Sequence, residues 1–478
     1  MPRTRSVYWT LLAVGGFALL PTVASGQGPG PLPKKPDTSR VTELHDQPRG
    51  GIPKAELKDA REHFAKLAKF YADTIAHPDV WKASQDFKVE NPNVLRPPTI
   101  DGPDGLLRDL DRYLIEYTPG SKGSNLEPID YIREFGAALD AALKNLIETH
   151  PELVVKVNAA RVLAHVARTG APAHYATITT LLSNANTPTG VRNYLFLAAG
   201  SLLSAYDPNE PKLRKHSGDP VAVGALLKVL DDAVVTPSML LTGLPAEVKV
   251  DDIAPDQLLV IGYLRRQAVK GLAQCKFASF PGPGGKTIYP VHTLARVALS
   301  DSALTPPPGP AEAAEAIIGI TGMAPVFEQN KGGFAPVKGY NADVAAEAIL
   351  TGLVTFAKPR AGNAFDRSLP WRSYAIRLAG GIRDWRPLFD PDFDPTQPNR
   401  FAQQLVPPSV DELLKEVVPK VLAPMDKVDS AGKPDIAAKV DIEGLQRRLA
   451  DLRARPNRKT ELFTGVPQTR IGVAELKK

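Results

Sequence analysis

The sequence predicts an all-α protein in which pairs of helices stack on one another. Four segments, beginning at Val155, Val191, Leu264 and Trp371, have small or apolar residues at positions one, five, eight, nine and twelve. This spacing places those residues on one buried face of an α-helix. A buried face that recurs along a chain indicates helices that cover one another in series. The 46 prolines, about twice the usual share, fall mainly between the predicted helices.

Five pairs of helices are predicted between residues 127 and 385, and each of the four segments belongs to the second helix of a pair. The predicted pairs are 128–150 with 151–168, 172–183 with 189–206, 219–235 with 256–276, 289–300 with 311–323, and 342–358 with 368–383. Pro151, Pro172 and Pro310 stand at or just before a first helical turn, where the missing N–H costs no hydrogen bond. This region is therefore predicted to be a repeat array.

The N-terminal residues have the layout of a secretory signal peptide. Arg3 and Arg5 precede an apolar run over residues 7–20, and small residues such as Ala24 follow it. The run is shorter than the roughly 20 residues that a membrane-spanning helix needs. Residues 1–26 are therefore predicted to be a signal peptide. We expect an exported protein, periplasmic or secreted, with no membrane span after signal cleavage; an uncleaved N-terminal anchor is the alternative.

Composition divides the rest of the chain into regions on either side of the array. The predicted regions are a Pro/Gly-rich linker at 27–52, an N-terminal helical cap at 53–126, the array at 127–385, an irregular linker at 386–408, and C-terminal helices with a basic tail at 409–478. Outside the array, helices are expected at 53–76, 105–117, 409–422 and 435–455.

The charge balance argues against a nucleic-acid partner, and the cysteine content excludes an intrachain disulfide bond. The formal net charge is +6 and acids and bases are interspersed, so we expect no nucleic-acid partner. The single cysteine, Cys275, excludes an intrachain disulfide bond. It occupies position twelve of the third segment, where the other segments have Val166, Leu202 and Ile382. Cys275 is therefore predicted to be buried as a small apolar residue.

The four segments open in a way that resembles a known repeat family. In each, a base directly follows an apolar residue: Val155-Lys156, Val191-Arg192, Leu264-Arg265 and Trp371-Arg372. This pattern is similar to the HEAT-repeat family of α-solenoids, although the fourth pair has Glu312 where a base is expected. The resemblance implies a HEAT-like α-solenoid of about five helix pairs, stacked as a right-handed superhelix, with N- and C-terminal helical extensions. It also implies a scaffold that binds a partner, and it leaves the partner open.

Motifs of catalysis and metal binding are weak in this chain. The segment 281–287 lacks the glycine that a phosphate-binding loop requires at position 280, so it is predicted to be a turn between helices. Asp390, Asp392 and Asp394 alternate as calcium ligands do, but the glycine and the glutamate of an EF-hand loop are replaced, so calcium binding there is left open. No histidines or cysteines have metal-ligand spacing. We expect no cofactor, no metal site and no catalytic residue.

The candidate binding surface is the stripe formed by positions four, seven and eleven of the second helices, which the repeats are expected to leave exposed. Its candidate residues are Asn158, Arg161, His165, Gln267, Lys270, Gln274, Tyr374 and Arg377. Position seven is basic in three of the four segments, and stacking is expected to align Arg161, Lys270 and Arg377 along one groove. The stripe is interpreted either as a solvated polar face or as a groove for an acidic peptide or polyanion.

These observations predict an extracytoplasmic, non-catalytic helical-repeat scaffold that binds a protein or peptide partner, which can be acidic. Two alternatives stay open. One is a helical-repeat enzyme, a hydrolase or lyase, which should place acids or histidines deep in one pocket. The other is a binder of an acidic polymer through a basic concave groove, which should show a steep dependence of affinity on salt.

Overall fold

A computed structural model describes residues 30–46, 52–83, 100, 105–114, 129–206, 219–245, 247–324, 326–330, 333–336, 339–361, 370–385, 408–427, 430, 439–456 and 458–471. The chain divides into two compact units, Met1–Leu163 and Ala164–Lys478. Both units are mainly helical in these residues, which confirms the predicted all-α class. The domain boundaries expected from composition stay predictions.

The first unit contains the N-terminal helices. They are α1 (Ser39–His45), α2 (Leu57–Ala76), α3 (Pro78–Ala83), α4 (Leu106–Asp111), α5 (Ile129–Thr149) and the larger part of α6 (Leu153–Val166). Helix α2 packs on α5. The ring of Phe64 lies 5.1 Å from that of Tyr131 and 5.5 Å from that of Phe135, between ring centroids. These aromatic contacts between α2 and α5 form the core of this unit.

The second unit contains the other helices and two antiparallel hairpins. The helices are α7 (Ala173–Ser183), α8 (Thr189–Ala205), α9 (Pro220–Val235), α10 (Pro237–Leu240), α11 (Pro255–Leu272), α12 (Pro290–Ala298), α13 (Pro310–Gly322), α14 (Ala342–Ala361), α15 (Trp371–Trp385), α16 (Pro408–Glu412), α17 (Ala423–Asp426) and α18 (Ile442–Ala454). Strand β1 (Phe280–Pro281) pairs with β2 (Thr287–Ile288), and β3 (Val326–Asn330) pairs with β4 (Gly333–Pro336). The ten helices predicted as five pairs are present as α5 to α9 and α11 to α15.

The C-terminal helices differ in detail from the sequence prediction. The helix expected at 409–422 is α-helical only in its first turn and continues as a π-helical segment, Leu413–Leu422. That segment contains Pro419, which has no N–H for the regular α-helical hydrogen bond. The helix expected at 435–455 is shorter, because α18 begins at Ile442 after Asp441, whose side chain accepts a hydrogen bond from the N–H of Gly444.

In the second unit, each helix of a pair packs on the corresponding helix of the next pair. Among the second helices of the pairs, α8 packs on α11, α11 on α13, and α13 on α15. Among the first helices, α7 packs on α9, α9 on α12, and α12 on α14. Helices α8 and α11 approach closely at Gly271, where a Cβ atom would lie 3.0 Å from the carbonyl oxygen of Phe196. Each helix is thus covered by neighbours on both sides of it.

The predicted register of the buried face is confirmed. Leu163 and Leu272 at position nine and Leu378 at position eight are all fully buried. At position twelve, Val166, Leu202, Cys275 and Ile382 are buried as well. The 3.6-residue period therefore identified the face of each second helix that packs against its neighbours.

Arg192, the base at position two of the second segment, is buried and connects the residues before α8 to α10. Its Nη1 donates to the carbonyl oxygen of Ser238 at 2.9 Å. Its Nη2 donates to the carbonyl oxygens of Asn184 at 3.1 Å and Ala185 at 2.9 Å. The guanidinium group thus donates to main-chain acceptors before α8 and in α10. These hydrogen bonds replace the ones to water that burial removes.

The C-terminal residues are attached to α14 through a buried carboxylate. Glu347 of α14 accepts hydrogen bonds from Nε of Arg453 at 3.0 Å and from Nη2 of Arg458 at 2.7 Å. Beside it, Asn341 donates its main-chain N–H to the carbonyl oxygen of Leu462 at 2.8 Å. These contacts fix α18 and the segment after it against the start and the middle of α14.

The packing of the first hairpin predicts opposite effects for two helical glycines. A Cβ atom at Gly224 of α9 would lie 2.3 Å from the carbonyl oxygen of Pro281 in β1, whereas at Gly262 of α11 the nearest atom is a Glu312 oxygen at 4.0 Å. We expect Gly224→Ala to lower the free energy of unfolding by about 1–3 kcal/mol, because the hairpin must move. Gly262→Ala should raise it by roughly 0.5–1 kcal/mol through helix propensity.

The measurement is urea unfolding of both variants beside the wild-type protein, followed by circular dichroism. Equal changes in the two variants would show that the hairpin does not press on α9.

The burial of Cys275 predicts slow reaction with thiol reagents. Burial raises the pKa of its thiol to about 12, and the Sγ–H donates to the carbonyl oxygen of Phe277 at 3.4 Å. We expect a disulfide reagent at pH 8 to label the native protein at least about 100-fold more slowly than the urea-unfolded protein, because both access and thiolate are scarce. Native labelling at a rate within tenfold of the unfolded rate would place the thiol at the surface.

Candidate functional site

The candidate site is a set of charged side chains gathered around Glu315 of α13, between α11 and α15. The carboxylate of Glu315 accepts hydrogen bonds from Nη1 and Nη2 of Arg377 at 3.0 and 2.8 Å, and from the hydroxyl of Tyr374 at 2.9 Å. The Nζ of Lys270 lies 3.4 Å from the same carboxylate. Together with Arg266, these residues are called the Glu315 cluster below. Three consecutive second helices thus contribute to one cluster.

The cluster combines a buried acid with bases that reach solvent. The side chain of Glu315 is 1% exposed, whereas those of Lys270 and Arg377 are 35% and 44% exposed. Burial alone would raise the pKa of Glu315, but the hydrogen bonds and charge of Arg377, the charge of Lys270 and the hydrogen bond of Tyr374 hold it below its ordinary value. Glu315 is therefore ionised at neutral pH and orients the two bases.

Tyr374 and Arg266 complete the cluster. Burial, followed by the charge of Glu315, raises the pKa of Tyr374, so its hydroxyl remains a donor to Glu315. Arg266 acts on that pKa in the opposite direction, which places its positive charge within electrostatic reach of the Tyr374 hydroxyl. On α11, Arg266 precedes Lys270 by four residues, so the two bases share one face of the helix.

The charges of the cluster do not balance. Lys270 and Arg377 contact the single carboxylate of Glu315, and a third base, Arg266, acts on the neighbouring Tyr374. The neighbouring acid on α13, Glu312, is already paired with Arg265 at 2.6 Å. The Nε of Arg266 is enclosed and has no hydrogen-bond partner among the described residues. The cluster therefore carries an excess of positive charge and a donor that is not used within it.

Apolar side chains continue the same face of α11 towards its N-terminus. Tyr263 is 41% exposed and Leu259 is 66% exposed. The guanidinium carbon of Arg266 lies 5.4 Å from the centroid of the Tyr263 ring, a cation–π distance. The exposed face of α11 thus begins with apolar groups and ends with basic ones.

The expectation that position four is exposed is wrong. Asn158, Gln267 and Tyr374 are all buried. The periodicity of a single helix cannot show this, because residues at the edge of the buried face are covered by the next helix of the stack. Position four contributes to packing, and in Tyr374 it contributes a hydrogen bond to Glu315.

The bases at position seven were predicted to be exposed along one groove, and two of them reach solvent but are paired with an acid. Lys270 and Arg377 both contact Glu315, which belongs to the helix between theirs. Arg161 lies in the first unit and is partly exposed. The structure therefore brings together two of the three predicted bases, and it joins them through an acid.

The predicted residues at position eleven remain accessible. Gln274 is exposed, and His165 is partly exposed with its Nε2 3.0 Å from Nη2 of Arg168. Sequence reasoning missed Glu315 and Arg266. A signal for Glu315 was present: if the fourth second helix starts at Ala311, Glu315 occupies position five, where the other segments have small or apolar residues.

The segment at 281–287, whose sequence suggested a phosphate-binding loop, is part of a β-hairpin. Residues 280–288 form the β1–β2 hairpin, in which the N–H of Gly282 donates to the carbonyl oxygen of Lys286 at 2.7 Å. Gly284 and Gly285 have positive φ angles of 68° and 75°, which favour glycine. The turn predicted for this segment is thus a tight hairpin turn. Asp390, Asp392 and Asp394 lie outside the described residues.

In the described part of the chain, no group of three or more His, Cys, Asp or Glu side chains is arranged to hold a metal ion. Within the same residues, no helix has both the length and the apolar character needed to cross a membrane. Comparison with protein-family models, curated proteins and solved structures finds no match to this chain.

Proposed function

We propose that the chain is an extracytoplasmic scaffold of HEAT-like repeats that binds a protein or peptide partner on the exposed face of its second helices. The observation that carries this proposal is the Glu315 cluster, in which bases on α11 and α15 are joined by an acid on α13, so that three consecutive second helices take part. The packing of α8 on α11, α11 on α13 and α13 on α15 supports the repeat arrangement, because each pair in an α-solenoid packs on the pair before it. The N-terminal sequence supports export.

Exposed apolar residues favour a protein partner. Eight large hydrophobic residues are exposed in the described part of the chain, and half of them are on second helices of the second unit: Leu197, Leu259, Tyr263 and Ile376. Apolar groups next to oriented bases are typical of the anchors and the polar rim of a protein interface. A polar face that contacts only solvent needs no apolar groups beside its bases.

Site-specific photo-crosslinking tests the proposal. A photoreactive amino acid is placed at Gln274 of α11 or at Ile376 of α15, both exposed, and the protein is irradiated in an envelope extract of the source organism. The matched control position is Lys228 of α9, a first helix, which is also exposed. We expect the same crosslinked protein from both second-helix positions and none from Lys228. Crosslinks from all three positions alike, or from none, would contradict a binding face on the second helices.

A binder of an acidic polymer is the second candidate, and the excess positive charge of the Glu315 cluster is the observation that favours it. Its interactions should be screened by salt over about 10 Å at 0.1 M, so affinity should fall steeply as salt increases. A protein interface with apolar anchors should lose much less affinity over the same range. Measuring the retention of the protein on a polyglutamate resin at two salt concentrations separates the two candidates.

A further inference from the structure

We propose that the Glu315 cluster, together with Tyr263 and Leu259, binds an extended peptide in which an apolar residue precedes an acidic residue by three positions. This inference rests on the proposed function and names the chemistry of the partner segment. The acidic side chain is received by Arg266, Lys270 and Arg377. The apolar side chain packs on Tyr263, with Leu259 beyond it.

The spacing follows from the geometry of α11. Tyr263 and Lys270 are seven residues apart on one face, so their Cα atoms are about 10 Å apart at 1.5 Å of rise per residue. A peptide in the extended polyproline II conformation advances about 3.1 Å per residue and has about three residues per turn, so side chains three positions apart lie on the same side of it. Three residues of such a peptide therefore cover the distance between the apolar and the basic end of the α11 face.

The binding groups are arranged before a ligand arrives. Arg377 is held by two hydrogen bonds to Glu315, and Lys270 is drawn to the same carboxylate, so neither base must be ordered anew on binding. Side chains that are already fixed cost less entropy when they form a complex. Glu315 offsets only one of the three positive charges, so the cluster still attracts an anion.

A peptide carboxylate fits this site better than an isolated inorganic anion. The donors are side chains on one face of α11 and on α15, and the surface of α11 beside them is apolar at Tyr263 and Leu259. A free phosphate has no group that uses this apolar surface. A peptide contacts both the basic and the apolar end of the α11 face, and its apolar contact adds to the charge pairing.

Fluorescence anisotropy with a defined probe tests the inference on the full chain. The probe is a fluorescein-labelled peptide, Gly-Ser-Leu-Ser-Ser-Glu-Glu-Ser-Gly, used at low salt. Two control peptides replace both Glu by Gln, or Leu by Ser. We expect the Gln peptide to bind at least about tenfold more weakly, which corresponds to about 1.4 kcal/mol, and the Ser peptide to bind measurably more weakly than the probe. Equal binding of the probe and the Gln peptide would overturn the inference.

Variants of the protein locate the site. Arg266→Gln removes a base that is not hydrogen-bonded to Glu315, so the Arg377 and Lys270 contacts stay intact. Tyr263→Ser removes the apolar end, and Lys228→Gln on α9 is the control for loss of one surface charge. We expect Arg266→Gln and Tyr263→Ser to weaken binding of the probe, and Lys228→Gln to leave it unchanged, with thermal unfolding confirming that all three are folded. Unchanged binding in Arg266→Gln would overturn the inference.

Competition identifies the ligand class, and crosslinking separates this inference from the scaffold function. If millimolar inorganic phosphate displaces the probe and the Leu-to-Ser peptide binds as tightly as the probe, the cluster is a general anion site and the peptide inference fails. If the probe does not bind but crosslinks still form at Ile376, the scaffold function stands and only this site is refuted. If crosslinks fail as well, the proposed function is refuted together with it.

Discussion

Replacing Arg265 by methionine is expected to lower the free energy of unfolding by about 3–5 kcal/mol, because it leaves a carboxylate buried without its cation. The Nε of Arg265 lies 2.6 Å from Glu312, and their side chains are 1% and 9% exposed. Glu312 would keep one donor, the N–H of Gly309 at 2.7 Å. Urea unfolding followed by circular dichroism measures the loss.

Two further variants make this expectation specific. Arg372 occupies the same position two in α15, but it is 51% exposed and pairs with Asp426 at 2.8 Å. Arg372→Met should therefore cost less than about 1 kcal/mol. The double variant Arg265→Met/Glu312→Gln should recover most of the loss, since it removes the unpaired charge and keeps an acceptor for Gly309. A loss in Arg265→Met as small as that in Arg372→Met would show that the buried pair contributes no more than a surface pair.

Leu272→Ala and Leu378→Ala are each expected to lower the free energy of unfolding by about 2–5 kcal/mol. Both side chains are fully buried, in α11 and α15. The loss combines the transfer of the removed methyl groups with the cavity that remains. Leu197→Ala is the matched control, because Leu197 of α8 is exposed and its truncation should change stability by only about 0.5 kcal/mol. The same denaturant series measures all three, and similar losses at buried and exposed positions would contradict the register.

Truncations in a repeat arrangement should also act locally. Each helix pair is supported mainly by its neighbours, so a cavity at Leu378 should weaken α13 and α15 before it weakens α8. Hydrogen exchange of main-chain amides resolves this order. Uniform acceleration of exchange across the second unit would indicate that it unfolds as one cooperative body.

The helices and their buried faces could be predicted because they depend on local spacing. Cys275 illustrates this: its place in the register was enough to predict burial, and the structure confirms it. The cluster could be predicted only in part, because it depends on which residue of the next helix stands opposite. Lys270 and Arg377 were identified, whereas Glu315, the acid that joins them, lies on a helix whose motif matches the others least well. Period alone contains no information about such cross-helix partners.

Two of the arginines at position two, Arg192 and Arg265, place different constraints on how the sequence can change over evolution. Arg192 contacts only main-chain carbonyl oxygens, at Asn184, Ala185 and Ser238, and every residue type supplies these. Side-chain substitutions at those three positions therefore leave the acceptors of Arg192 in place. Arg265 contacts a side chain, so a change at 265 or at 312 requires a compensating change at the other. Where the arginine binds main-chain carbonyl oxygens, the neighbouring side chains can change and its hydrogen bonds are kept.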